Sequence, residues 1–178
     1  MTGSRVAKRY ARALVGLSED PNQLEAWGAE LERLARITEA PEVASLLAAP
    51  ELAHGQRVDA MGKIAARLEL SYPLRSLALV VARHGRIAEL GAVAQVYRDL
   101  LDQMLGRARA TLTFAIQPND QDVAEVVRGL EAMVGKTVIA TVNVDQSLLG
   151  GVVAELEGKI YDGSLATGLG EAQRRLAG

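Results

Sequence analysis

Residues 144–164 read VDQSLLGGVVAELEGKIYDGS, and the strands and turns encoded by this stretch decide the fold of the C-terminal part of the chain. Its β-branched and aromatic residues predict a hairpin of two strands, 152–156 and 159–161. The two-residue turn between them, Glu157-Gly158, has glycine second and suits type I′. Ser164 is placed to cap a final helix. The polar residues therefore serve turns and caps, and such an architectural pattern without catalytic groups indicates a protein that connects other proteins.

Upstream of this stretch the composition is still β-rich. Residues 111–116 and 137–142 predict two more strands. The apolar spacing between them predicts a helix over 121–134 whose apolar residues, Met133 included, face inward. Together these elements predict a small α/β domain over 107–178.

The first 106 residues instead carry apolar residues at helical spacing, which predicts an N-terminal six-helix bundle and a fold that is mainly α. Polar residues and glycine stand where helix ends need them: Ser4 and Asp20 as N-caps, and Gly85 after a helix C-terminus. The predicted helical segments are 4–18, 22–39, a short one between Pro41 and Pro50, 58–68, 72–84 and 87–106.

The composition excludes several classes of function. Hydrophobic residues make up 49% of the 178 residues but aromatics only 3%, so the core must consist of Ala, Leu and Val. A net charge of −2 gives no electrostatic case for nucleic-acid binding. With no cysteine and two histidines, neither a metal site nor a cofactor is predicted. The chain shows neither a signal peptide nor a run of about 18–20 apolar residues, so we expect a soluble, intracellular protein that reaches a membrane only through a partner.

Several motifs suggest chemistry, and each has a simpler structural interpretation. Gly135-Lys136-Thr137 looks like the tail of a phosphate-binding loop, but it lacks the first glycine and follows a helix, so a helix C-cap is predicted. Asp162-Gly163-Ser164 lacks a nucleophile-elbow pattern and fits a turn into a helix. Gly150-Gly151 lacks the third glycine of a dinucleotide fingerprint and fits a bulge or bend. His54 and His84 stand at predicted helix edges without metal-site spacing, which predicts solvated or capping roles.

The positive functional signal is apolar surface beyond one face on two helices. The first helix carries a second apolar row beside its core row, and the 72–84 helix is almost wholly apolar from Leu77 to Ala82. Trp27 fits either the core or a binding anchor. The excess indicates either a buried central helix or a groove for a partner helix, and the pattern leaves both open. The polar stripe of the first helix consists of Arg5, Lys8, Arg9 and Arg12.

Several segments resemble the delta subunit family of F-type ATP synthases, which includes the mitochondrial oligomycin-sensitivity-conferring protein. The most specific are VDQSLLGGVV, which starts at Val144, and GKIYDGS, which starts at Gly158. The segment AKRYARAL from Ala7, the single Trp27 and the helix break ARHGR from Ala82 add to the resemblance, which spans the whole chain.

The resemblance implies a non-catalytic subunit of the peripheral stalk, or stator, in proton-driven ATP synthesis. It implies one copy per complex, held at the cytoplasmic face of the bacterial inner membrane through partners and without inserting into it. The N-terminal six-helix bundle, residues 1–106, would hold N-terminal helices of the alpha subunits. The C-terminal α/β domain, residues 107–178, would hold the ends of the b subunits. A cytosolic adaptor that captures an amphipathic helix is the alternative, and an enzyme is a third, weaker interpretation.

Site residues also follow from the resemblance, position by position. The groove for the alpha helix would lie between the first helix and the 72–84 helix, at Ala7, Tyr10, Ala11, Leu14, Leu77, Val80 and Val81. The b-subunit contact would involve Leu149, Gly150, Gly151, Asp162, Gly163 and Ser164.

The chain departs from the family pattern after Ser164. Family members usually continue with a basic run of the type V-R-G-R-L, whereas residues 165–170 read LATGLG. Two expected charges are missing, and each glycine inside a helix costs about 1 kcal/mol relative to alanine. A frayed terminal helix is therefore expected, with Arg174 and Arg175 supplying part of the missing charge.

Overall fold

The computed structural model describes residues 4–148 and 150–162 of the chain. The chain divides into two compact units, one up to Leu105 and one from Gly106 onward. This division falls within one residue of the composition change in the sequence. The described chain is mainly helical, with one small mixed sheet.

The first unit contains α-helices joined by short turns, together with one short 3-10 turn. The residues predicted as a single helix over 87–106 divide into that 3-10 turn and a separate helix. The bounds are α1 Arg5–Val15, α2 Pro21–Glu39, α3 Pro41–Ala48, α4 His54–Arg67, α5 Tyr72–Arg83, the 3-10 turn Ile87–Glu89 and α6 Leu90–Met104.

Side-chain caps fix where the helices begin, as predicted for two of them. The Ser4 hydroxyl accepts a hydrogen bond from the Ala7 N–H at 3.1 Å. The Asp20 carboxylate accepts one from the Asn22 N–H at 3.0 Å. α5 has no side-chain cap, but Glu30 on α2 accepts hydrogen bonds from both the N–H and the hydroxyl of Ser71, the residue before α5, at 2.7 and 2.9 Å. A glutamate far away in sequence therefore positions the start of α5.

Gly85 ends α5 as predicted. Its φ of 64° lies in the left-handed region that favours glycine. The Gly85 N–H bonds to the Ala82 carbonyl at 3.0 Å, and the Arg86 N–H bonds to the Val81 carbonyl at 2.9 Å. These two bonds form a Schellman motif, which satisfies carbonyls that the helix end would otherwise leave without partners.

Arg57 holds the connection between α3 and α4. Its Nε donates to the Leu47 carbonyl at 2.7 Å, and its Nη2 donates to the carbonyls of Ala49 and Leu52 at 3.1 and 3.3 Å. One guanidinium thus bonds to three carbonyls at the end of α3 and in the turn after it, where the Ala49 carbonyl also accepts the Leu52 N–H.

The core of the first unit is built mainly from Ala, Leu and Val, as the composition predicts. α1 and α2 both pack against α6, whereas α4 packs principally against α5. Trp27 is buried in this core and is not a surface anchor. Close to it, Gly28 leaves room for the Tyr97 ring, since a Cβ at Gly28 would lie 3.3 Å from Cε1 of that ring.

The second unit is a four-stranded sheet of order β2-β1-β3-β4 with a helix between the first two strands. β1 and β2 pair in parallel across that helix, while β1–β3 and β3–β4 are antiparallel. The bounds are β1 Arg107–Phe114, α7 Asp120–Val134, β2 Thr137–Val144, β3 Val152–Leu156 and β4 Lys159–Asp162.

β1 begins four residues earlier than predicted. Residues 107–110 read Arg-Ala-Arg-Ala, and alanine is not typical of strands. The alternation is nevertheless that of a strand, since Ala108 and Ala110 are buried while Arg109 faces outward. Pairing of Arg107 with Thr137 fixes the register, so tertiary pairing overrides local propensity.

α7 packs only loosely, and one of its predicted contacts is wrong. Leu130 is buried, but Met133 is 62% exposed. Met133 lies three residues from Leu130, on the edge of the apolar arc rather than at its centre. The helix ends as predicted at Gly135, which has a φ of 67° and donates its N–H to the Glu131 carbonyl at 2.8 Å.

The predicted hairpin is present in β3 and β4. Glu157 and Gly158 both have positive φ, 49° and 78°, as a type I′ turn requires. The final helix predicted from Ser164 lies outside the described residues.

Candidate partner-binding surfaces

The structure buries most of the residues predicted to line the alpha-helix groove. Ala11 is 0% exposed, and its neighbours on the same face of α1 are also covered by the chain itself. On α5, Val81 is buried, Leu77 is half-buried and Val80 is 38% exposed. The buried members are Ala7, Tyr10, Ala11, Leu14 and Val81. For these five the core alternative describes their place in this chain, and Leu77 and Val80 retain surface that a partner could contact.

α1 and α5 are not each other's main packing partners, because α1 lies on α6 and α5 on α4. A cleft lies where α1 faces the turn that follows α5. This cleft is lined by Arg5, Val6, Lys8, Arg9, Arg12 and Arg86.

The cleft is strongly cationic. Four of its basic residues form the polar stripe on α1 that the sequence indicates, and Arg86 joins them from the turn after Gly85. No sequence signal placed Arg86 there, because its position depends on how the Schellman motif redirects the chain. The Arg9 guanidinium lies 5.3 Å from the centroid of the Tyr10 ring, within reach of a cation–π interaction.

Two buried polar atoms near α1 lack a hydrogen-bond partner in residues 4–148 and 150–162. They are the Tyr10 hydroxyl oxygen and Nη1 of Arg86. A buried group of this kind costs free energy unless something satisfies it. Arg86 also lines the cleft, although its Nη1 is itself covered by the chain.

In the second unit, the described residues predicted to contact b subunits lie where β3 begins and β4 ends. Gly150 and Gly151 directly precede β3, and Asp162 at the end of β4 pairs with Val153 of β3. The Gly151 carbonyl accepts a hydrogen bond from Ala115 N–H at 3.3 Å, which ties this bend to the end of β1. The remaining predicted residues, Leu149, Gly163 and Ser164, lie outside the described residues.

An exposed apolar patch adjoins this bend. Ile116 is 78% exposed, and Val142 and Val144 at the end of β2 are also exposed. Ile116 and Val144 line a cleft that Gly150 and Gly151 complete. The sequence predicts Ile116 inside a strand, but β1 ends at Phe114 and Ile116 lies beyond it on the surface. The predicted strand at 137–142 stops before Val144. Extending the apolar pattern to Val144 would have indicated the exposed patch at this end of β2.

The turn after β2, which leads to this cleft, is stabilised by a side chain of its own. Asp145 accepts the N–H of Ser147 at 2.9 Å. Hydrogen bonds from the Ser147 side chain, and then from its backbone, lower the pKa of the Asp145 carboxyl. The aspartate therefore serves the turn, in agreement with the role of polar residues predicted for this stretch.

The other motifs occupy structural positions. Gly135 is the helix C-cap, while His54 at the start of α4 and His84 at the end of α5 are exposed. Among the described residues, His, Asp and Glu side chains form no group of three that could hold a metal ion. Within the same residues, no helix is both long and apolar enough to span a membrane.

Comparison with known proteins gives one consistent match. The family model described as ATP synthase delta (OSCP) subunit matches residues 6–176. ATP synthase subunit delta of Geobacter sp. (strain M21) is 33% identical over 174 residues, covering 97% of both chains. The protein of that name from Anaeromyxobacter sp. (strain K) is 36% identical over 173 residues, 96% of each chain.

A solved structure shows the same fold. A chain in the cryo-EM structure of the Toxoplasma gondii mitochondrial ATP synthase hexamer aligns with a TM-score of 0.67 at 21% identity. The alignment covers 98% of the present chain and 99% of that one.

Proposed function

We propose that this chain, which belongs to the ATP synthase delta (OSCP) subunit family, is a peripheral-stalk subunit that prevents the catalytic head from turning with the central shaft. The observation that carries the proposal is the length of the match, which runs from residue 6 to residue 176 and includes both compact units. Members of the family are non-catalytic, so the function is mechanical linkage.

The first unit is the proposed contact to the head. In this proposal its six helices form one bundle that holds an N-terminal helix of an alpha subunit beside α1 and α5. Val80 and Leu77 on α5 supply apolar surface for that contact. The buried row on α1 contributes indirectly, by setting where α1 lies.

The second unit is the proposed contact to the b subunits. The apolar patch of Ile116, Val142 and Val144 beside Gly150-Gly151 suits the apolar face of a helix end. Surface patches of this kind mark interaction sites when they adjoin a concave surface.

A tether that resists torque needs a slow rate of dissociation. Affinity differences between related interfaces reside mostly in that rate, and burial of apolar surface over a standard-size interface can supply it. We place the protein at the cytoplasmic face of a bacterial inner membrane, held there by its partners, in one copy per complex. The bacterial relatives at 33% and 36% identity support this placement.

Add-back to depleted membranes tests the function. Membranes stripped of this subunit should lose ATP-driven proton pumping, and the purified chain should restore it. Val80→Asp should restore less, because an unpaired charge would enter a desolvated interface. Leu46→Asp is the matched control, since Leu46 is an exposed apolar residue on α3.

Failure of the wild-type chain to rebind stripped membranes would refute the stator proposal. It would favour the adaptor alternative, in which the bundle captures an amphipathic helix from a different protein. If wild type and Val80→Asp restore proton pumping equally, the stator function is retained, but the alpha contact does not involve this face of α5.

A further inference from the structure

We infer that the cationic cleft of Arg5, Lys8, Arg9, Arg12 and Arg86 is a docking stripe for an acidic amphipathic helix. The inference rests on the proposed function, in which an alpha subunit supplies that helix. It adds the charge of the partner and a second set of contact residues, which differ from the apolar residues that the family resemblance implies.

The spacing of the stripe matches a helical partner. Arg5, Lys8, Arg9 and Arg12 stand at positions i, i+3, i+4 and i+7 of α1, so they share one face over about 10 Å. A partner helix with carboxylates at the same spacing can meet this row in one register. Arg86 closes one side of the cleft, and Val6 gives it an apolar contact surface.

The charges of the stripe are not neutralised within the described chain. None of the side chains of Arg5, Lys8, Arg12 and Arg86 has an acidic partner among the described residues. Glu89, the acidic residue that reaches the start of α1, accepts a hydrogen bond from the Ser4 hydroxyl. Arg86 has Nη1 buried without a partner. A carboxylate in the cleft would meet the exposed donors of the α1 side chains with charge-assisted hydrogen bonds.

The stripe is a local feature of a slightly acidic protein. The net charge of the chain is −2, so the cluster does not reflect a generally basic composition. A basic helix that binds a membrane surface also needs an exposed apolar face to insert. The apolar face of α1, with Ala7, Ala11 and Leu14, is buried in the core. These observations favour an acidic helix over an anionic membrane.

We expect the charges of the stripe to affect mainly the rate of association and the register in which the partner helix binds. Exposed charge pairs each add little affinity, but complementary charge accelerates association and excludes wrongly oriented partners. The binding should therefore weaken as salt rises. An apolar interface alone would not weaken in this way.

The test uses the full chain and two synthetic helices with identical apolar positions. One carries glutamate on its polar face, and the other carries lysine. Binding is measured by fluorescence anisotropy at about 50 mM and about 500 mM salt. Arg9→Gln/Arg12→Gln removes two charges of the stripe. Arg33→Gln/Arg67→Gln is the matched control, because both residues are exposed and lie on α2 and α4.

We expect the glutamate helix to bind more tightly than the lysine helix at low salt, because only the glutamate helix complements the charge of the stripe. The stripe variant should bind the glutamate helix about fivefold more weakly at low salt, and the control as tightly as wild type. Equal binding of the two helices, or tighter binding to vesicles of anionic phospholipid than to the glutamate helix, would overturn the inference. Circular dichroism of each variant verifies that the helices remain folded.

A peptide of the alpha subunit N-terminus separates this inference from the proposed function. Binding that is sensitive to salt and to the stripe variant supports both. If the peptide binds equally well at both salt concentrations and to the stripe variant, the alpha contact is retained and the role of the charge stripe is refuted. Failure of this peptide to bind, while the glutamate helix binds through the stripe, supports the preference for acidic helices and refutes the alpha subunit as their source.

Discussion

The Tyr97 hydroxyl on α6 donates a hydrogen bond to the Leu24 carbonyl on α2 at 2.8 Å, inside the core of the helical unit. This bond joins two helices that also meet at Gly28, where the Tyr97 ring lies against the backbone. Burial raises the pKa of Tyr97 to about 12 from an ordinary value near 10. Both properties give measurable consequences.

Tyr97→Phe should lower the free energy of unfolding of the helical unit by about 1 kcal/mol, because it removes one buried hydrogen bond and leaves the ring in place. Urea unfolding followed by fluorescence measures this, since Trp27 is the only tryptophan and lies in that unit. An unchanged midpoint would mean that the hydroxyl contributes nothing to stability.

The same residue should make stability pH-dependent at alkaline pH. The pKa is higher in the folded state than in the unfolded state, so the stabilisation is complete below pH 10 and is lost as the pH rises through 12. Wild type should therefore lose more stability than Tyr97→Phe between these values. Parallel curves for the two proteins would show that Tyr97 titrates alike in both states.

Arg57→Met should destabilise the helical unit by about 2 kcal/mol, because three carbonyls lose a charged donor together. Arg67→Met on the same helix is the control, since Arg67 is exposed and near the helix end. Fluorescence of Trp27 during urea unfolding reports both variants. Similar losses for both would assign the effect to the methionine rather than to the carbonyl contacts.

Two glycines of α7 should respond to alanine in opposite ways. Gly135→Ala should cost about 1 kcal/mol, since φ at this C-cap is 67°. Gly129→Ala should stabilise by up to about 1 kcal/mol, because it lies inside the helix with open space around it. Hydrogen exchange of the α7 amides, read by mass spectrometry, gives both signs. Slower exchange in Gly135→Ala would contradict the cap assignment.

Residues 1–105 should fold without the rest of the chain. They form one of two compact units and have a core of their own. A fragment of these residues should unfold cooperatively with urea, at a midpoint close to that of the full chain by Trp27 fluorescence. A broad, non-cooperative transition would mean that the second unit is needed for folding.

Sequence periodicity predicted α2 and α5 closely, but α1 ends at Val15 rather than at residue 18, and α4 begins at His54 rather than at residue 58. It could not separate core from groove on α1. Ala11 belongs to a second apolar row, and only the packing of α6 onto that row shows that it is covered. Ala11→Asp is therefore expected to unfold the helical unit rather than weaken binding alone.

Strand β1 illustrates a second feature that could not be predicted from the sequence. Alanine and arginine have no strong strand preference, so residues 107–110 form a strand through pairing with β2 and, at Ala110, also with β3. Only part of the cationic cleft could be predicted from the sequence. The spacing on α1 is local, but the position of Arg86 beside it depends on the tertiary fold.

The connection between the units has a mechanical consequence. Only Leu105 and Gly106 separate α6 from β1, so the joint can extend by no more than about 7 Å. Tension along the chain at this connection acts directly on β1. This strand is hydrogen-bonded to β2 on one side and to β3 on the other. Those bonds run roughly across the strand, so a force along β1 shears them together instead of breaking them one at a time. A force that enters the second unit through β1 therefore meets the hydrogen bonds to both neighbouring strands at once.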